Sequence, residues 1–176
     1  MHLAVDLRYP ASVQAVGAML ADESFVRWRA ERAGGPGAEV QQVDVTGTAD
    51  GAFTVAVRRT LPTDQIPAHV RSFVGTGLEI RQAEAWEAEH DGVRRGTVSL
   101  EIAGAPVRLT GTVLLAPGTT GDAGDGGALQ SYAGEVRASV PLFGSVIEEA
   151  AAEAVRTALA AEERAGQEWL TRAHGA

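Results

Sequence analysis

Pro141-Leu142-Phe143-Gly144-Ser145-Val146-Ile147-Glu148-Glu149-Ala150-Ala151-Ala152-Glu153-Ala154-Val155-Arg156-Thr157-Ala158-Leu159-Ala160-Ala161-Glu162-Glu163-Arg164-Ala165-Gly166-Gln167-Glu168-Trp169-Leu170-Thr171-Arg172 is the stretch on which the fold turns. After Pro141, Phe143, Ile147, Ala150, Ala151, Ala154, Ala158, Ala161, Ala165 and Trp169 recur at three- and four-residue steps, the period of one amphipathic helix. About 30 residues at 1.5 Å rise give a helix roughly 45 Å long, enough to cross an entire sheet. Its apolar face is mostly alanine, so a sheet can approach closely. Gly166 costs roughly 1 kcal/mol against alanine in a helix interior and is expected to mark a bend or fraying of the last turns. Glu148, Glu149, Glu153, Glu162 and Glu163 read as a solvated acidic side, with a partner surface as the less favoured alternative.

Upstream of that helix the period changes to two. His2 to Tyr9 alternate, with Leu3, Val5, Leu7 and Tyr9 on one side, as a half-buried strand does. Pro10 ends it, Ser12 is placed to cap a helix through Val13, Val16 and Leu20, and Asp22 a second through Phe25, Val26, Trp28 and Arg29. Residues 38 to 140 then read as strands parted by turns. Val43 and Val45 pair by a hairpin with Phe53, Val55 and Val57. A further strand runs from Leu78 to about Glu89, turns at Asp91-Gly92, and returns through Val98, Leu100 and Ile102. Val107 to Leu115 and Tyr132 to Val140 complete the meander. Between Thr60 and Gly77, Pro67 followed by His69, Val70, Phe73 and Val74 predicts a short helical insertion, and residues 117–127, rich in Gly, Thr and Asp, are expected to form a mobile loop.

The expected fold class is therefore α+β: one domain over residues 1–176, element order βααββββββα, with a curved antiparallel seven-stranded sheet wrapped around a long C-terminal helix. This order, and locally Val140-Pro141-Leu142-Phe143-Gly144-Ser145-Val146-Ile147-Glu148 with its Pro-x-x-Gly entry into the long helix, resembles the START-like, helix-grip (SRPBCC) superfamily, in an uncharacterised bacterial branch related to polyketide cyclase-like proteins. The resemblance covers essentially the whole chain. It implies a cavity between sheet and helix that takes a hydrophobic small molecule or a lipid-like ligand. It does not fix a function, since members also bind hormones or polyketides, and no catalytic motif transfers residue by residue.

Phe53, Val55, Phe73, Val98, Leu100, Leu109, Val113, Tyr132 and Ile147 form the expected interior set. Of these, Phe53, Val55, Phe73, Leu100, Leu109, Tyr132 and Ile147, together with Glu84 and Trp86, are the expected ligand-binding residues. Apolar sets normally pack to high density, but Gly111, Gly134, Ala138 and the alanine face leave less volume to fill the concavity, which favours a pocket. Tyr132 supplies a polar handle. Glu84 shares the phase of Leu78, Ile80 and Trp86. On a regular strand it points into the concavity, where burial would raise its pKa and fit it for acid–base work or for anchoring a polar group. A bulge near Ala83 would return it to solvent, or it would sit at the mouth paired with arginine, and the rarity of buried glutamate favours these alternatives. An enzyme of cyclase or dehydratase type would use Glu84, His69 or Tyr132 on a held substrate. A protein-interaction module would instead show a filled core and an exposed apolar patch.

Other classes find little support. The four histidines are scattered without metal-ligand spacing, so no metal and no cofactor is expected. No Gly-x-Ser-x-Gly elbow surrounds any serine, and the glycine-rich loop lacks a P-loop ending. The net charge of −8, the absence of lysine and the lack of any basic run speak against nucleic acid. The absence of cysteine excludes disulfides and thiol chemistry and fits a reducing, cytoplasmic setting. No leader segment is visible at Met1, and apolar runs fall far short of the roughly 20 residues that span a bilayer, so no transmembrane segment is expected. Nothing in the sequence fixes an oligomeric state.

Overall fold

In the computed structural model, which describes residues 1–62, 77–103, 105–118 and 127–173, the alternating segments become strands and the 3.6-period segments helices. The chain runs β1 (His2–Tyr9), α1 (Val13–Leu20), α2 (Glu23–Gly34), β2 (Glu39–Gly47), β3 (Phe53–Leu61), β4 (Leu78–Trp86), β5 (Arg94–Ala103), β6 (Val107–Pro117), β7 (Ala128–Ala138) and α3 (Gly144–Ala173). Both caps form as their residue types dictate. Ser12 Oγ accepts from the Ala15 N–H at 3.2 Å, and Asp22 Oδ1 from the Ser24 N–H at 2.7 Å and the Phe25 N–H at 3.2 Å.

The sheet order is β1-β7-β6-β5-β4-β3-β2, with every neighbouring pair antiparallel. After β1 the two short helices carry the chain to the far edge, and six strands then step back until β7 lies beside β1. The β4–β5 hairpin turns through Asp91 and Gly92, both left-handed at φ 53° and 75°, the backbone an Asp-Gly turn prefers. Gly111 faces Gly134 across β6 and β7. A Cβ on Gly111 would lie 2.4 Å from the Ala133 carbonyl oxygen, and one on Gly134 2.6 Å from that of Thr110, so only glycine permits this close approach as the sheet bends over α3.

α3 begins at Gly144, after Leu142 at φ 67°, so Phe143 stands outside the helix and is 48% exposed; the inward face starts at Ile147. Gly166 does not interrupt it. The helix continues to Ala173, and a Cβ on Gly166 would sit 2.4 Å from Cε1 of Tyr9, so this glycine is where β1 and the helix press together. The acidic side is not simply solvated. Glu163 accepts the Arg8 N–H at 2.7 Å, Gln167 donates to the Arg8 carbonyl at 2.9 Å, and Glu148 accepts the Ala138 N–H at 3.0 Å, tying the helix to β1 and β7. Glu162 is buried. β4 ends at Trp86 rather than near Glu89, and its pairing with β3 and β5 runs without a bulge at Ala83. The expected insertion, with His69 and Phe73, and most of the expected loop at residues 117–127 lie outside the described residues.

Candidate functional site

Between the concave face and α3 lies a cavity of about 530 Å³. Strand alternation builds its floor: Leu78, Ile80 and Gln82 from β4, Val98, Leu100 and Ile102 from β5, Val107 and Leu109 from β6, Tyr132, Gly134 and Val136 from β7. The roof is α3, through Ile147, Ala150, Ala151, Ala154, Val155, Ala158 and Leu159, where alanine at successive turns holds the helix off the floor without filling the gap. Thus four of the nine expected ligand-binding residues, Leu100, Leu109, Tyr132 and Ile147, face one cavity.

Phe53, Val55, Glu84 and Trp86 are not among the lining residues. They are buried at the other end of the concave face, where Phe53 stacks on Trp86 with ring centroids 6.1 Å apart and an interplanar angle of 22°. α1 and α2 close that end, and Phe25 meets Trp169 of α3 edge to face at 5.5 Å. Phe73 lies outside the described residues.

Glu84 is inside, 1% exposed, neither returned to solvent nor placed at a mouth. Arg29 Nη2 donates to its Oε1 at 2.8 Å, Gln82 Nε2 to the same oxygen at 3.0 Å, and Trp86 Nε1 to Oε2 at 2.9 Å. Arg29 turns its other arm, Nη1, to Glu162 Oε2 at 3.2 Å. One guanidinium therefore bridges α2, β4 and α3. Burial works against the Arg29 charge, but Glu84 and then Glu162 outweigh it and hold the guanidinium above its ordinary range. Burial pushes the Glu162 carboxyl up, Arg29 pulls it back, and Glu84 pushes it further. The phenols of Tyr9 and Tyr132 face the same charges, and burial raises both well above their usual range.

The network meets the cavity at Arg59, Gln82, Tyr132 and Glu162, all of which line it. The Tyr132 hydroxyl accepts from Gln130 Nε2 at 2.6 Å. Arg59 is 3% exposed, and its Nε and Nη1 are buried with no hydrogen-bond partner. Burial lowers its pKa, and Glu162 partly offsets this through space without coming within ion-pair distance. The sequence reading missed Arg29, Arg59 and Glu162 as interior residues. The signal was present, because Arg59 continues the inward phase of Phe53, Val55 and Val57, and Glu162 follows Ala158 by four residues. Among the described residues no group of three or more His, Asp or Glu side chains could hold a metal ion, and no helix is long and apolar enough to cross a membrane.

Solved structures share this architecture. A START superfamily protein from Mycobacterium smegmatis superposes with a TM-score of 0.55 at 12% identity, covering 96% of this chain and 98% of that one. The protein TTHA0849 from Thermus thermophilus gives a TM-score of 0.55 at 13% identity over 94% and 97%. The fold is START-like. In sequence, uncharacterized proteins of Mycobacterium bovis and Mycobacterium tuberculosis are each 23% identical over 167 residues, 93% of this chain and 92% of the relative. A family model described as "Protein of unknown function (DUF2505)" matches residues 4–170, and the chain belongs to that family.

Proposed function

We propose that the protein binds a hydrophobic small molecule or lipid-like ligand between the sheet and α3. The observation that carries this is the cavity, whose 530 Å³ fall within the roughly 300–1,000 Å³ of small-molecule sites. The lining, dominated by Leu, Ile, Val and Ala with Arg59, Gln82, Tyr132, Glu153, Thr157 and Glu162 as polar members, favours an apolar occupant over ordered water. The START-like fold supports the same reading by analogy. A protein-interaction module with a filled core fits this interior less well.

Native mass spectrometry of the purified protein, with intact and denatured masses compared, tests the reading. The expected result is a reproducible apolar adduct that Ala158→Phe, directed into the cavity, expels while the protein stays folded. Absence of any adduct, with no thermal shift across fatty acid, sterol and aromatic polyketide panels, would overturn it.

A further inference from the structure

We propose that the ligand is a monocarboxylic acid with a long apolar tail, and that Arg59 receives its carboxylate. This deepens the reading above and rests on it. Three observations converge. Arg59 lines the cavity from the inner face of β3, and its Nε and Nη1 are buried without a partner. A guanidinium offers only donors, so an acceptor must come from outside the described side chains, and a buried donor left unmatched is costly. The neighbouring cation does not share this need, since Arg29 bonds to both Glu84 and Glu162.

The unmatched donors select the class. Two arginines and two glutamates occupy the cluster and balance in formal charge, but both glutamates bond to Arg29, so among the described residues Nε and Nη1 of Arg59 have no direct acceptor. A carboxylate answers such a donor with a charge-assisted hydrogen bond, the stronger kind that a guanidinium makes. A doubly charged phosphate would bring a further negative charge toward Glu162, and an alcohol would offer only a weaker neutral acceptor. Beyond the head, the tail has Ile80, Leu100, Leu109, Ile147 and Ala151 to lie against.

The test uses the full chain loaded with the neutral probe N-phenyl-1-naphthylamine, displaced at pH 7.5 by dodecanoate, dodecan-1-ol or dodecyl phosphate. Wild type is expected to bind dodecanoate at least about tenfold more tightly than dodecanol, the scale of one charge-assisted hydrogen bond. Arg59→Gln should bring dodecanoate to the dodecanol level, while Arg59→Lys keeps part of the preference. Equal displacement by acid and alcohol in wild type overturns the inference and leaves the apolar site standing. Tighter binding of dodecyl phosphate than of dodecanoate overturns the monoanion assignment. Failure of the probe and all three compounds to bind removes the site itself, and the inference with it. The wild-type comparison decides the matter even if Arg59→Gln does not fold.

Discussion

Replacing Arg29 by methionine keeps most of the side-chain volume and removes the one group that joins α2, β4 and α3. Its two ion pairs, at 2.8 Å to Glu84 and 3.2 Å to Glu162, are formed by side chains no more than 4% exposed. The gain from such a pair over an apolar substitute is small, because desolvation of the charges offsets their attraction. Breaking it from one side is another matter, since Glu84 and Glu162 are left in the interior without the cation. Removing one partner of a buried pair costs about 3–5 kcal/mol. In a chain of this length each kcal/mol shifts Tm by roughly 2–4 °C, so Arg29→Met should melt about 6–20 °C below wild type. The triple variant Arg29→Met, Glu84→Gln, Glu162→Gln removes every charge of the bridge and should recover a substantial part of that loss. The assay is urea unfolding by circular dichroism on wild type, the single variant and the triple variant, with calorimetry for Tm. A loss below about 1 kcal/mol in Arg29→Met, or a triple variant no more stable than the single one, would refute the argument that the uncompensated carboxylates carry the penalty.

Two further outcomes follow from the geometry. Gly166→Ala should destabilise by about 1–3 kcal/mol, against the helix-propensity gain of roughly 1 kcal/mol, because the added Cβ would meet Tyr9 Cε1 at 2.4 Å; a raised Tm would show that the Tyr9 ring moves aside at little cost. Burial raises the Glu162 carboxyl above its usual 4.5, so between 4.5 and its folded value the native chain holds more protons there than the unfolded one. Stability should then fall as pH rises through that window, and Glu162→Gln should flatten this slope in urea melts from pH 4 to 8; an unchanged slope would place the titration elsewhere.

The architecture was legible because each element carries its own period. Alternation in β1, β3, β5 and β6, Asp-Gly at the β4–β5 turn, and alanine at three- and four-residue steps in α3 are local signals, and nothing in the tertiary structure opposes them. The site was legible only on its apolar side. Leu100, Leu109, Tyr132 and Ile147 follow from phase, but Phe53, Val55 and Trp86 share that phase and yet pack at the closed end, because α1 and α2 cover them there. Sequence phase says which face a residue occupies, not how far along the sheet the cavity extends. The charges were harder. Arg59 ends an inward-facing run, and a cation there suits a solvated rim as well as an interior. Glu162 stands beside Glu163 and reads as half of an exposed pair. Only the meeting of α2, β3, β4 and α3, elements far apart in the chain, decides that Arg29, Arg59, Glu84 and Glu162 are buried together.

A domain that keeps a cavity of this size must hold its long helix in place by contacts away from the cavity, and the two halves of α3 divide that work. The C-terminal half is fastened by Glu162 to Arg29, by Glu163 and Gln167 to the backbone of Arg8, by Gly166 against the Tyr9 ring, and by Trp169 against Phe25. The N-terminal half, from Ile147 to Leu159, meets the cavity in part through four alanines, whose side chains offer little area to bury, and the link from Glu148 to the Ala138 N–H anchors its start. Because packed interiors resist small displacements, the fastened half fixes the height of the helix above the sheet, and the alanine half leaves that height as open volume. The polar network thus stands where the fastened half meets the cavity, which places Arg59, whose Nε and Nη1 have no partner among the described residues, beside the apolar lining.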